Sequence, residues 1–265
     1  MNILRNISFG QYIPHDSLIH NLDPRIKILS CLTVIICLFL IDNFWGYFIL
    51  GSLIMISIIF SKVHPKFVFK GLRPILFIII FTLVIHLFMT EGEVIYKLGF
   101  LKITSEGLIK GLFISCRLLI LILTTSLLTL TTSPISLTDG TEKLLSAFRF
   151  IGMPAHEIAM MMTIALRFIP TLLEETEKIM KAQISRGADF ESGNILNRTK
   201  SLIPILVPLF VNAFRRADDL AIAMEAKCYR GGRGRTHYRK LQIKKNDILI
   251  FAFTILVAIT TSLIF

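Results

Sequence analysis

Apolar runs broken by short polar connections fill the first half of the chain, and long periodic stretches fill most of the second. Five runs carry almost no charge: Ile26–Ile41, Phe44–Phe60, Ile75–Met89, Leu112–Leu130 and Ile248–Phe265. A helix of about 17–20 such residues crosses a bilayer, so each is expected to be a membrane span. Only Asp42-Asn43 separates the first two, which predicts a tight turn. Between the third and fourth, "VIYKLGFLKIT" partly alternates around Gly99 and predicts a small hairpin.

The stretch between the fourth and fifth runs is too apolar and too periodic for a disordered loop. One helix is expected from just after Pro154 to Arg186. Its stripe is Ile158, Met162, Ala165, Ile169, Leu172, Thr176 and Ile179, at alternating four- and three-residue spacing. Up to Leu173 it is apolar nearly all round, which predicts burial. From Glu174 on, Glu174, Glu175, Glu177, Lys178 and Lys181 are expected to face water. A second helix is expected from about Arg198 to Tyr229, with Phe210, Phe214, Ala217, Ala221, Met224 and Cys228 as its stripe. A shorter amphipathic piece, Leu137–Phe150, precedes both. These helices are too charged in their second halves to span, so they are expected along or beneath the membrane surface.

The whole reads as an all-α integral membrane protein of about five transmembrane helices, with long amphipathic cytoplasmic helices between the fourth and fifth. Three parts follow: residues 1–133 with four spans, 134–245 as the cytoplasmic helical region, and 246–265 as a last span. Composition agrees, with 54% of the 265 residues hydrophobic. The net charge of +11 sits largely in connections expected to be cytoplasmic, which accounts for it without nucleic acid. Lys62, Lys66, Lys70 and Arg73 follow the second run, and Lys and Arg outnumber Asp and Glu from Gly140 to Lys245. The positive-inside rule therefore puts the N-terminus and the long helices in the cytoplasm, Asp42 outside, and the C-terminus outside by parity. The first residues lack a charged-then-apolar signal with a small-residue cleavage site, so the first run is read as a retained helix.

Candidate chemistry is sparse. The chain has no GxxxxGK[ST], and Gly231 to Gly234 lack a preceding strand, so no nucleotide site is expected. His156-Glu157 opens like a metalloprotease motif, but Met160 stands where the second histidine belongs. Cys31, Cys37, Cys116 and Cys228 form no CxxC pair and read as free thiols. Arg117 and His86 lie in apolar runs. Either they are structural, with Arg117 snorkelling from near a helix end and His86 bonding a carbonyl, or they line a substrate path.

Two helix ends stand out. In "KAQISRGADF", Ala182 and Ser185 are small, Arg186 is a fixed cation with a planar fork, and Gly187 permits a left-handed stop. "AMEAKCYRGG" closes the second helix in a similar way. Either end alone reads as a helix stop, with a cation suiting the negative end of the dipole. Two such ends closing two long helices read better as plugs presented to two similar sockets.

"GQYIPHDSLIHNLDPRIKIL", "IALRFIPTLLEETEKIMKAQISRGADF" and "LVPLFVNAFRRADDLAIAMEAKCYRGGRGRT" resemble the signature blocks of the transmembrane T component of energy-coupling factor transporters, the vitamin-uptake branch of ABC importers. The resemblance implies a non-catalytic, cofactor-free subunit of the plasma membrane that joins two cytosolic ATPase subunits to a membrane-embedded S component. It implies import of vitamins or other micronutrients, with substrate choice resting mainly in the S component. It maps ATPase docking onto Ser185, Arg186 and Gly187 beside Ala182, and onto Ala226, Lys227 and Cys228. Lys227 stands where the family usually has Arg, and Arg230 three residues on is the other candidate cation. Met162, Ile169, Phe210 and Phe214 would offer the apolar surface for the S component. The alternative is a self-contained permease built on Arg117 and His86; no catalytic constellation supports a membrane-embedded enzyme.

Overall fold

In the computed structural model the regular elements of the described residues are helices and one hairpin. It describes residues 12–98, 101–148, 150, 152–188, 190, 195–231 and 241–264. The elements are α1 (Pro24–Leu40), α2 (Phe44–Ser61), α3 (Pro65–Met89), β1 (Val94–Leu98), β2 (Leu101–Thr104), α4 (Ser105–Thr131), α5 (Pro134–Ser146), α6 (Ala155–Ser185), α7 (Ile195–Ala226) and α8 (Lys245–Ile264). They fall into two compact units that divide near Leu144. One holds α1–α4, the hairpin, most of α5, and α8; the other holds α6 and α7.

The sequence starts and stops these helices by ordinary means. Asp23 caps α1, its carboxylate accepting the Arg25 N–H, and Pro24 takes the first helical position, where an N–H would be unused. Pro65 does the same for α3, and Thr104 caps α4 by accepting the Gly107 N–H. The hairpin predicted around Gly99 forms, with Leu98 opposite Leu101 and Lys97 opposite Lys102; Gly99 itself lies outside the described residues. Two spans start earlier than expected. The cationic connection of Lys66, Lys70 and Arg73 is already helical in α3, and α4 begins at Ser105 rather than Leu112. Charged residues at a helix end sit comfortably outside hydrocarbon, so charge marks the edge of the membrane and not the end of the helix.

Among the described residues, five helices have the length and apolarity to cross a membrane: α2, α3, α4, α8 and α6, the last expected to be too charged to span but carrying its charge beyond an apolar first half. At 17 residues α1 is at the short end of that range. The core of the first unit gathers Leu38 of α1 and Ile41 just after it, Tyr47, Leu50 and Ile54 of α2, Leu72 and Ile79 of α3, Ile120 and Leu123 of α4, and Ala258 of α8. Outside that core, α3 shows Phe69, Phe77, Ile80 and Phe81 on its surface. A helix apolar on its exposed side as well as its buried one is suited to lipid.

α3 and α4 approach each other closely. A Cβ placed on Gly107 would lie 2.5 Å from the His86 carbonyl oxygen, and one on Gly111 would lie 3.3 Å from the His86 Cβ. Gly107 and Gly111 form a GxxxG step, which lets two membrane helices approach closely. Sequence reading passed over this motif. His86 is thus packed against α4, with Nδ1 3.5 Å from the Thr90 hydroxyl.

Arg117 does not sit near a helix end, as expected from a span starting at Leu112; it is in the middle of α4. Its guanidinium donates from Nε to the Tyr47 hydroxyl at 2.9 Å and from Nη2 to the Ile41 carbonyl at 3.2 Å, with Asp42 at 3.7 Å. It also lies over the Phe39 and Tyr47 rings. The residue therefore fastens the α1–α2 turn, supplying a donor to a carbonyl at the end of α1 that has no helical partner.

A second polar knot gathers where α1 and α8 begin. The buried Lys27 ammonium donates to the His20 and Thr131 carbonyls at 3.1 and 2.9 Å. Arg25 pairs with Asp23 at 2.8 Å and donates to the Leu241 carbonyl, while the buried Asp247 accepts the Lys244 N–H at 2.7 Å. The "LDPRIK" stretch thus ties the N-terminal segment, the end of α4 and the entry to α8 together. The four cysteines are free, with Cys31 and Cys37 buried and Cys228 exposed.

Candidate functional site: two matching helix tips

α6 and α7 are antiparallel neighbours, and polar links join them. The Gln183 amide donates to the Pro204 carbonyl at 3.4 Å, Arg216 pairs with Glu175, and the Tyr229 hydroxyl lies 3.4 Å from His156 Nε2. Residue numbers rise along α6 as they fall along α7, so each helix ends beside the start of the other. With Gln183 level with Pro204, the roughly two dozen residues from there to Lys227 set the two tips on the order of 35–40 Å apart.

Two expectations about these helices need correcting. The first half of α6 is not buried within the chain: among its described residues only Ala155 and Ala159 are buried, and Met161 and Met162 are exposed. A segment apolar all round can be solvated by lipid or by another membrane protein as well as by its own core. Glu175 does not face water either. Its side chain is 16% exposed and it pairs with Arg216, at 40%. The inward side of α7 runs through the buried Ile205 and the half-buried Leu209, Asn212, Arg216, Leu220 and Met224, while the expected stripe of Phe210 and Phe214 is exposed at 59% and 69%. Met162 is exposed too, and Ile169 is half-buried.

The two tips have the same backbone. At the end of α6, Arg186 is the capping residue and Gly187 is left-handed, with φ of 87°. The Gly187 N–H bonds the Ile184 carbonyl and the Ala188 N–H bonds the Gln183 carbonyl, both at 2.9 Å. This pair of bonds is the Schellman motif, which satisfies carbonyls that the helix leaves open. At the end of α7, Cys228 is left-handed with φ of 55°. Its N–H bonds the Glu225 carbonyl at 2.8 Å, and the Tyr229 N–H bonds the Met224 carbonyl at 3.0 Å. Position for position the motif is repeated, with Lys227 matching Arg186 and Cys228 matching Gly187. Ala182, Ser185, Arg186, Gly187, Ala226, Lys227, Cys228 and Arg230 are all exposed. Arg230 lies beyond the turn, whereas its counterpart in the first tip, Asp189, is outside the described residues.

Sequence reading found both tips by their small-cation-breaker pattern, although Cys228 is an unexpected residue for a left-handed site. It missed these links between the helices. Only the proline pair in α7 offered a signal: Pro208 has no N–H to give the carbonyl four residues before it, that of Pro204, so some other donor is called for.

Comparison with known proteins fits this architecture. The family model for CbiQ, described as cobalt transport protein, matches residues 15–238. The energy-coupling factor transporter transmembrane protein EcfT of Thermosediminibacter oceani is 57% identical over 256 residues, 97% of each chain. The protein of that name from Ruminiclostridium cellulolyticum is 54% identical over 253 residues, 96% of this chain and 95% of that one. That of Bacillus subtilis is 48% identical over 257 residues, 97% of each. With a multi-pass helical unit and a paired-helix unit ending in two matching tips, the chain belongs to the CbiQ family and is an energy-coupling factor transporter transmembrane component of the EcfT type.

Proposed function

We propose that the chain couples two cytosolic ATPase subunits to a membrane-embedded S component, which carries a vitamin or other micronutrient. The observation that carries this reading is the repeated capping turn. Two exposed tips of one geometry, each with a cation at the capping position and both at opposite ends of one helix pair, suit two copies of a similar socket. Arg186 enters the first socket with its bidentate fork, and Lys227, its geometric equivalent, enters the second, with Arg230 alongside. The chain itself performs no hydrolysis; ATP is consumed by the partners.

The S component would meet the exposed apolar surface of Met162, Ile169, Phe210 and Phe214. The coupling region, residues 134–245, and the N-terminus lie in the cytoplasm, with 1–133 and 246–265 in the membrane. Cation-rich connections support that orientation. Trp45, exposed on α2 beside the α1–α2 turn, suits a membrane–water interface there on either side of the membrane. A self-contained permease would need Arg117 and His86 along a path. Their engagement with the α1–α2 turn and with α4 gives each a structural role instead.

The test is to purify the tagged chain from its own membranes in mild detergent and identify its companions. Two ATPase subunits and a small hydrophobic S component are expected. Recovery of this chain alone would sink the proposal, and transport by this chain alone in vesicles would favour the permease. Arg186→Ala is expected to release the ATPase at the first tip and abolish ATP-driven uptake.

A further inference from the structure

Gln183 stands at the meeting of two features. Its backbone carbonyl closes the first tip, accepting the Arg186 N–H at 3.0 Å and the Ala188 N–H at 2.9 Å. Its side chain reaches across to α7 and donates to the Pro204 carbonyl at 3.4 Å. That carbonyl is available for a specific reason. In an unbroken helix it would accept the N–H of residue 208, but residue 208 is proline and has none. Pro204 likewise offers no N–H to Lys200, so the first half of α7 lacks two rungs of its ladder. A helix missing such rungs is where bending concentrates. A carbonyl can only accept, so the amide nitrogen of Gln183 must face it.

We propose that Gln183 is a positioning residue. It latches the first tip to the proline-opened carbonyl of α7, so that displacement of Arg186 and bending of α7 at Pro204–Pro208 are one motion. The link to transport rests on the docking role proposed above; the latch itself does not. On this reading Pro208 opens the acceptor that lets α6 hold α7 close to a docking point. A push on the first tip would then be delivered to α7 directly, and through it towards the exposed Phe210 and Phe214 a short way along.

A double-mutant cycle on the full chain in detergent, read by amide hydrogen exchange, tests the latch without any partner. Gln183→Met keeps length and helix propensity but removes the donor. It is expected to speed exchange of Gly187 and Ala188 at the tip, and of Val207 and Leu209 flanking Pro208, by roughly fivefold, as for one lost hydrogen bond. Pro208→Ala restores the missing N–H. In that background Gln183→Met is expected to change neither segment. The dependence on residue 208 separates a latch from general support of the helix pair. Unaltered exchange in Gln183→Met, loosening of the tip alone, or an equal effect in the Pro208→Ala background would each overturn the inference. Purification without ATPase companions would instead overturn the docking reading and leave this cycle's outcome standing.

Discussion

Gly187 and Cys228 occupy the same left-handed position of the same capping turn, with φ of 87° and 55°, yet only one of them is a glycine. A side chain in this region costs roughly 1–2 kcal/mol, which glycine avoids. The first tip is therefore relaxed and the second strained. Cys228→Gly is expected to firm the α7 tip by about 1 kcal/mol, and Gly187→Ala to loosen the α6 tip by a similar amount. Exchange of the Tyr229 and Ala188 amides, which close the two turns, would show the opposite signs. Equal responses at the two tips would mean that the turns differ in more than this residue.

The cations differ as well. If both sockets present a carboxylate, Arg186→Lys loses a bidentate contact and is expected to weaken ATPase binding about tenfold, while Lys227→Arg gains one and tightens it. Binding of purified ATPase subunits to each variant in detergent measures this. A larger loss with Arg230→Ala than with Lys227→Ala would assign the second contact to Arg230.

The α3–α4 contact predicts a sharp contrast among glycines. Gly107→Ala drives its Cβ to within 2.5 Å of a backbone oxygen, which no rotamer change relieves. Overpacking of this kind typically costs about 1–3 kcal/mol, and a falling melting temperature in detergent is expected. Gly71→Ala is the control, since its Cβ would meet only the Ser126 hydroxyl at 3.5 Å. Similar melting of the two variants would remove the GxxxG step as a determinant of packing.

Arg117 should behave as a fastener of the α1–α2 turn. Arg117→Met and Tyr47→Phe are each expected to destabilise the membrane unit by about 1–3 kcal/mol: the first removes two charge-assisted bonds but leaves the Tyr47 hydroxyl on the Ile41 carbonyl at 3.1 Å, and the second leaves the Arg117 Nε–H without its acceptor. The double variant should lose less than both together, since they share one hydrogen bond. Additive melting shifts would show that the two residues act separately.

The N-terminal segment carries a pH signature. His20 donates from Nε2 to the Ile13 carbonyl at 3.0 Å, so its Nδ1 accepts the Ser17 hydroxyl at 2.7 Å. Burial is the leading cause that pushes its pKa below the ordinary 6.5. As pH falls below 6.5 the unfolded chain takes up this proton before the folded one does. The contribution of neutral His20 is thus full above 6.5, declines as pH drops, and is gone below the folded value. Asp23 adds a second loss at lower pH. Burial opposes its charge, but hydrogen bonds from Arg25 outweigh that and hold its carboxyl below the usual range. His20→Gln should flatten the first decline and leave the second, in melts recorded across the acid range.

The pattern of apolar runs and periodic stripes was enough to show an all-helical membrane protein, the long amphipathic pair and the two tips. Burial period, proline and glycine are local signals, and capping turns such as Arg186-Gly187 are local structures. What the pattern missed was what meets what. Glu175 looked solvated because its neighbours are charged, and only the antiparallel docking of α7 brings Arg216 to it. The Phe210 and Phe214 stripe was found, but not that α7 turns it outward and shows α6 a mixed seam. Arg117, Gly107 and Gln183 gain their roles from partners 76, 21 and 21 positions away in the chain: Ile41, His86 and Pro204. Helix period and capping depend on a few adjacent residues, so sequence alone determined them. Pairing between helices depends on rotation and register, which only the tertiary structure decided.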